Sequence, residues 1–176
     1  MLNLMLLRHA KSSPSETGVE DIDRPLSGRG KRAAKSMGDY MAANNLMPDL
    51  VLCSPAARTR ETWKLVRKEL GASPKIVFEQ DIYDFGDGEN LLNCLRRHAG
   101  EAKSLLLIGH NPSIEGLAKR VARKGDKKIR DRLEDKYPTA ALAVIKLNAA
   151  SWAAVAEGAG TLSRFVRPRD IMEDAG

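Results

Sequence analysis

The chain has little cysteine, little histidine and few aromatic residues, and it lacks any long apolar run. Its two cysteines, Cys53 and Cys94, cannot build a disulfide framework, a usage that fits a reducing cytoplasm. The three histidines are scattered, so no structural zinc spacing exists. No stretch approaches the ~18–20 apolar residues of a membrane span. Met1 to Leu7 is apolar, but Arg8 ends the run. No basic segment precedes it and no small-residue cleavage site follows, so it reads as a first strand rather than a signal peptide. Secreted, membrane-spanning and zinc-built classes are excluded on these grounds, and a cytoplasmic protein is expected.

What is present is an ordinary globular composition, 43% hydrophobic and 30% charged over 176 residues, which supports one packed core. We expect a single domain over residues 1–166 and a tail over 167–176. The net charge is +6, and five of those six charges fall between Lys119 and Lys136, where nine Lys/Arg stand against four acids. That segment carries no aromatic residue before Tyr137, so stacking platforms for bases are missing and a nucleic-acid partner is not expected. A solvated helical face accounts for it, with a docking surface for an acidic partner as the alternative.

Strand-length and helix-period segments alternate. Asn3–Leu7, Asp49–Cys53, Lys75–Glu79 and Ser104–Ile108 are short apolar runs, and Thr139–Leu147 is a longer one. Ser27 can cap a helix carrying Ala33, Ala34, Met37 and Met41 on one face. A second stripe, Ala56, Thr59, Trp63, Val66 and Leu70, stops at Gly71. Asp87 can cap a helix with Leu91, Leu92, Leu95 and Ala99 inward, and Ile114, Leu117, Ala118 and Val121 make a further stripe. This alternation predicts an α/β sheet with helices on both faces. Ser151 to Val166 reads as a hairpin turning at Glu157–Gly160.

Three of the strands run into cationic or imidazole side chains: Leu4–Leu7 into Arg8-His9, Leu50–Cys53 into Ser54-Pro55 and then Arg58, and Leu105–Gly109 into His110-Asn111-Pro112. Ser54 and Asn111 can each cap a helix whose first residue is the following proline. If these strands are parallel neighbours, their carboxyl ends share the crevice where open α/β sheets bind ligands. Arg8 and Arg58 offer forked donors that match phosphate geometry, Arg58 leaning back towards its helix N-terminus, and His9 and His110 add two imidazoles. Four such donors surround a tetrahedral dianion better than they fit a carboxylate.

Leu7-Arg8-His9-Ala10, Ser54-Pro55-Ala56-Ala57-Arg58-Thr59 and Gly109-His110-Asn111, in this order, resemble the motif set of the histidine phosphatase superfamily. The short chain and Arg8-His9-Ala10-Lys11-Ser12-Ser13 are similar to its phosphohistidine phosphatase branch, the SixA type. Arg24-Pro25-Leu26-Ser27, Gly109-His110-Asn111-Pro112 and Tyr137-Pro138-Thr139 match as well, so the resemblance runs from Leu4 to about residue 147. It implies a phosphoglycerate mutase-like, three-layer α/β/α sandwich around a mostly parallel mixed sheet. It also implies two-step phosphoryl transfer in which His9 is the nucleophile and is transiently phosphorylated. Arg8, Arg58 and His110 then hold the phosphoryl oxygens, and no metal or cofactor is required. Two nearby guanidiniums are expected to keep His9 neutral by charge repulsion.

Relatives that cleave phosphate esters carry a carboxylate proton donor. Asn111 follows His110 here, so one family position for it is empty, and Asp84 in Asp81-Ile82-Tyr83-Asp84-Phe85 is the best match to the other. A polar loop and helix cap explain Asp81, Asp84 and Asp87 equally well. An alkoxide leaving group needs a proton for ~10²–10⁴ in rate. A phosphoimidazole, protonated on its free nitrogen, needs one less, which tilts the substrate towards phosphohistidine. Only Gln80 to Lys103 separates the third and fourth strands, too little for a segment closing over a small metabolite. The expected partner is therefore a phosphorylated protein, such as a histidine phosphotransfer domain. A small phosphorylated substrate is the alternative, and a non-catalytic phosphate- or RNA-binding module is the rival of another class. Lys11 and Ser12 are candidate substrate contacts. Gly28-Arg29-Gly30-Lys31 fails the spacing of a phosphate loop. Cys53 and Cys94 read as buried small hydrophobes.

Overall fold

The computed structural model describes residues 1–172. Seven strands form one mixed sheet: β1 (Leu2–Arg8), β2 (Leu50–Cys53), β3 (Lys75–Phe78), β4 (Ser104–Gly109), β5 (Ala122–Gly125), β6 (Leu142–Leu147) and β7 (Gly160–Val166), in the order β3-β2-β4-β1-β6-β7-β5. β3, β2, β4 and β1 are mutually parallel, β6 runs antiparallel to β1 and to β7, and β5 pairs parallel with β7.

The strand sequences explain the layering. In β1 and β4 successive apolar residues point to opposite faces, and both faces are buried, so the runs are continuous rather than alternating. Leu4, Leu6, Leu105 and Leu107 pack under α3 (Glu89–His98) and α4 (Ser113–Val121) through Leu91, Leu95, Ile114 and Leu117. Met5, Leu7, Leu106 and Ile108 pack under α1 (Gly28–Ala43) and α2 (Ala57–Leu70) through Met37, Met41, Trp63 and Val66. The three-layer α/β/α architecture expected from the sequence is the observed one.

Ser27 caps α1 as expected, its hydroxyl accepting from the Gly30 N–H at 3.0 Å, and α2 ends on Gly71 in the left-handed region at φ 63°. Asp87 only partly fulfils its expected role. Its Oδ1 accepts from Glu89 N at 3.1 Å, but the residue flanking α3 is Gly88. Gly88 has φ +95°, and a Cβ there would lie 2.3 Å from Leu117 N, so the N-terminus of α3 presses directly on α4.

The carboxyl-terminal third departs most from the sequence reading. The 151–166 hairpin does not form. Trp152–Ala154 is a 3-10 turn whose indole N–H donates to Ala102 O at 2.6 Å, and β7 pairs with β6 on one side and β5 on the other. Burial of Trp152 and Val155 in the core fixes that segment as an anchor, not a strand. β6 starts at Leu142 rather than Thr139, because Ala140 has φ 60° and turns its N–H onto the carbonyls of Arg8 and His9. The basic segment is not one helical face: β5 interrupts it between α4 and α5 (Lys127–Asp135), and ion pairs engage Lys119 with Glu115 and Glu134, Arg120 with Asp87 and Glu157, and Lys127 with Asp131. Within the expected tail, Pro168–Ile171 form a short helix, α6, and Ile171 packs on the apolar cluster beneath α1; residues 173–176 lie outside the described residues.

Tyr137 ties this scaffold to the strand tips. Its buried hydroxyl donates to Leu6 O at 2.6 Å, while its own carbonyl accepts from Arg8 Nη1 at 2.8 Å and Asn111 Nδ2 at 3.2 Å. Tyr137→Phe removes only the first of these bonds. It should cost about 1–2 kcal/mol in urea unfolding while leaving the Arg8 geometry intact.

Candidate functional site

The parallel order β2-β4-β1 brings the three expected strand tips side by side. His9 follows β1 and is pinned from several sides: its N–H donates to Gly109 O at 3.0 Å, its carbonyl accepts from Ala140 N at 3.0 Å, and the next N–H, of Ala10, donates to Thr62 Oγ1 at 3.0 Å. His9 Nδ1 lies 2.7 Å from Ala10 O. A carbonyl can only accept, so Nδ1 carries the proton and Nε2 keeps the lone pair.

His110 sits beside it, ring centroids 5.2 Å apart, and is fully buried. Its Nε2 lies 2.8 Å from Ser54 Oγ, and Ser54 Oγ already accepts from Ala56 N at 3.3 Å. With one lone pair taken by Ala56 N, Ser54 Oγ keeps its proton and a second lone pair for His110 Nε2, so the contact holds the ring in place in either tautomer. Ser54 thus serves His110 as much as it serves α2, whose first residue is Ala57 and not Pro55. Asn111 differs from expectation in the same way. Its Oδ1 accepts from Glu115 N at 3.2 Å while its amide N–H groups reach Glu115 and Tyr137 O, and α4 begins at Ser113, after Pro112.

Arg58, buried in the first turn of α2, points into the crevice as the sequence predicts, but it is held there by a residue the sequence reading did not select. Asp21 accepts from Arg58 Nη1 at its main-chain carbonyl (2.7 Å) and from Nη2 at its carboxylate (3.0 Å). The same carboxylate accepts from the Tyr83 hydroxyl, and from Arg24 Nη1 at 3.1 Å. The Tyr83 hydrogen bond, followed by those of Arg58 and Arg24, holds the Asp21 carboxyl down to about 2. Arg24 also donates through Nη2 to Ser12 Oγ at 3.0 Å and to Ser13 O at 3.1 Å, so Ser12 meets the site through Arg24. Asp21, Arg24 and Tyr83 are therefore additional members of the cluster. For Arg24 a signal existed, since it opens the Arg24-Pro25-Leu26-Ser27 motif; Asp21 and Tyr83 stand in loops without periodicity.

Among the described residues, three buried side-chain polar atoms lack a hydrogen-bond partner: Arg8 Nε, Arg24 Nε and His110 Nδ1. All three belong to this cluster, and the two arginine Nε–H groups are donors in any protonation state. A buried donor without an acceptor costs ~1–3 kcal/mol, so the arrangement is built for an anion.

Burial is the main reason His9 and His110 are neutral. It pulls His9 from its ordinary 6.5 to about 4, with Arg58, Arg8 and Arg24 adding a smaller push, and pulls His110 to about 3 with His9 and Arg58 contributing. The expected charge repulsion is real but secondary. Asp84 lies apart from the hydrogen bonds around His9: its Oδ2 accepts from Gly86 N at 3.1 Å and its Oδ1 from Asn90 Nδ2 at 2.9 Å, and it lines a polar recess with Asp81, Tyr83 and Arg97. Lys11 is exposed and lines a groove with Arg29, Arg32 and Thr139.

An α/β sheet with a buried, neutral histidine pair and converging guanidiniums at its strand tips defines a phosphoryl-handling protein. The sequence model of the histidine phosphatase superfamily (branch 1) matches residues 4–92, and the chain belongs to that superfamily. An uncharacterised protein of Mycobacterium tuberculosis is 34% identical over 165 residues, covering 93% of this chain and all of the relative. Among solved structures, a protein of Agrobacterium tumefaciens assigned as a phosphohistidine phosphatase SixA superposes with a TM-score of 0.78 at 28% identity, over 95% of this chain and 98% of its own. A second SixA-assigned protein, from Nakamurella multipartitia, gives 0.80 at 27% identity, over 95% and 96%. The chain is SixA-like within the superfamily, with the phosphoglycerate mutase-like fold. An α-ribazole-5′-phosphate phosphatase assignment from Escherichia coli shares the fold at 16% identity and a TM-score of 0.65.

Because the unfolded chain protonates His9 and His110 near 6.5 while the fold keeps them neutral to about 4 and 3, the unfolded state binds more protons below pH 6.5. Stability should therefore fall as the pH drops from about 6.5 towards 4. Urea midpoints measured across that window should slope less steeply in His110→Gln than in the wild type.

Proposed function

We propose that this protein is a phosphohistidine phosphatase that removes phosphoryl groups from a partner protein through a phospho-His9 intermediate. The observation that carries the reading is the pair of buried arginine Nε–H donors without acceptors, together with the unpartnered His110 Nδ1, beside the free Nε2 of His9. His9 Nε2 attacks phosphorus as the bond to the substrate imidazole breaks, and that imidazole leaves neutral, protonated on one nitrogen. Ala10 O steadies the Nδ1–H of His9, which would otherwise drift as positive charge develops on the phosphorylated ring. Water then attacks phospho-His9 and releases inorganic phosphate. Arg8, Arg58 and His110 Nδ1–H hold the equatorial oxygens, where transition-state charge is spread, and Arg24 Nε adds a fourth donor. These fixed cations support chemistry that needs no metal. Asp21 acts as the clamp that keeps Arg58 aimed.

A second reading, hydrolysis of a small phosphate ester, is favoured by the fold shared with metabolite phosphatases and gives Asp84 the role of proton donor. The two readings separate in one experiment: turnover of a histidine-phosphorylated carrier protein beside a small phosphate ester, without added metal. We expect fast loss of phosphohistidine, slow ester cleavage, and His9→Ala at the uncatalysed background. Arg8→Ala should lower kcat/KM by ~10²–10³, and Asp84→Asn should leave phosphohistidine turnover nearly unchanged. Faster ester cleavage that collapses in Asp84→Asn would overturn the proposal in favour of the ester. Equal inertness of wild type and His9→Ala on both substrates would leave a binding module.

A further inference from the structure

Beside the His9 loop opens a cavity of about 540 Å³ whose walls carry five cations from three separate parts of the chain: Lys11, Arg29 and Arg32 of α1, and Arg167 and Arg169 at α6. Of these, Arg167 is paired, with Asp170 at 2.8 Å; among the described residues no carboxylate forms an ion pair with the other four. Stability does not explain the gathering. Like charges repel, and α1 has no acidic residue in its first turn, where the helix dipole disfavours the arginines it does carry.

The cavity is fastened rigidly to the catalytic loop. Lys11 O accepts both the N–H and the hydroxyl of Ser27, at 2.9 and 3.1 Å. A Cβ on Gly30 would fall 2.0 Å from that same carbonyl, so only glycine lets α1 lie this close. Thr139, which also lines the cavity, adjoins Ala140, whose N–H bonds the carbonyls of Arg8 and His9. Whatever lies in the groove is therefore held at a fixed position relative to His9.

The geometry points to an acidic segment of the phosphorylated partner protein as its occupant, an inference that rests on the proposed protein substrate and extends it to recognition. A small anion would be wrapped by buried donors, as at His9. Here Lys11, Arg29, Arg32 and Arg169 are all exposed, the form that steers and registers an extended acidic surface.

Two measurements test it. In the first, fluorescence anisotropy follows a short labelled peptide of aspartate and glutamate binding to the whole chain. In the second, steady-state kinetics compare the phosphohistidine carrier with a small ester. Arg32→Glu/Arg169→Glu should weaken peptide binding about tenfold, as should raised salt on the wild type. The same variant should raise KM for the carrier similarly with kcat unchanged, and leave ester kinetics untouched, which also shows that it folds. Arg32→Gln/Arg169→Gln should give a smaller shift in the same direction. Unchanged peptide binding in the variant would overturn the inference. So would a parallel rise in ester KM, which would make the groove part of the phosphate pocket, or tighter binding of inorganic pyrophosphate than of peptide in the groove. A wild type that binds the peptide but never dephosphorylates the carrier would overturn the proposed function instead, and with it the assignment of this partner.

Discussion

Positive charge in excess of its ion-paired carboxylate at the strand tips is the constraint around which this structure is arranged. Arg8, Arg24 and Arg58 converge on two imidazoles, and Asp21 is the carboxylate that joins their hydrogen-bonded cluster. Such a cluster holds together only if the imidazoles stay neutral, since two more cations at a ring spacing of 5.2 Å would add repulsion in a dry environment. Burial supplies that neutrality, Ala10 O places the remaining proton of His9 on Nδ1, and Ser54 Oγ holds the His110 ring through its Nε2. One ring is left with a free lone pair at Nε2 and its neighbour with an unpartnered Nδ1. The two histidines are held by different partners although they are the same residue type a few ångströms apart.

The sheet makes this possible because its central strands are buried on both faces. Leu4 to Leu7 and Leu105 to Ile108 are inaccessible to solvent or nearly so, and their ends are consequently fixed in space. Tyr137 then couples the layers: one residue satisfies the Leu6 carbonyl with its hydroxyl and receives Arg8 and Asn111 at its own carbonyl. A guanidinium held by a main-chain carbonyl has no freedom to swing towards solvent, so less ordering is required when an anion binds.

How much of this was legible follows from the range of the interactions. The strand tips were readable because each is a local pattern, an apolar run ending in a charged or imidazole side chain. His9, Arg8, Arg58 and His110 all come together as that pattern implied. Asp21 and Tyr83 were not readable: they meet across 62 positions of sequence through a side-chain hydrogen bond, and neither loop has a period to betray it. The second half of the sheet was misread for a related reason. Periodicity marks a strand but not its neighbour, so the parallel pairing of β5 with β7 and the anchoring of Trp152 had no local signature. The basic segment misled in the other direction, since a count of charges does not reveal that Glu115, Glu134, Asp87 and Glu157 reach its cations.

Proton supply bears most directly on the choice of substrate. A carboxylic acid that protonates an alkoxide near neutral pH must have its pKa raised by its surroundings. Asp21 has the opposite environment, with the Tyr83 hydroxyl and two guanidiniums holding it at about 2, so it is a fixed anion that aims Arg58 and not a proton donor. Asp84 has both carboxylate oxygens engaged by N–H donors, of Gly86 and of Asn90, while its carbonyl shares the Ser113 hydroxyl with His110 O. In the proposed reaction the site supplies charge for the phosphoryl group and the leaving group carries its own proton. A phosphoimidazole does so, taking a proton on its free ring nitrogen from solvent before the P–N bond breaks. An alkyl phosphate does not. The open approach beside the His9 loop, walled by arginines on one side, suits the same substrate, because an imidazole presented on a folded protein arrives with a surface that those cations can engage.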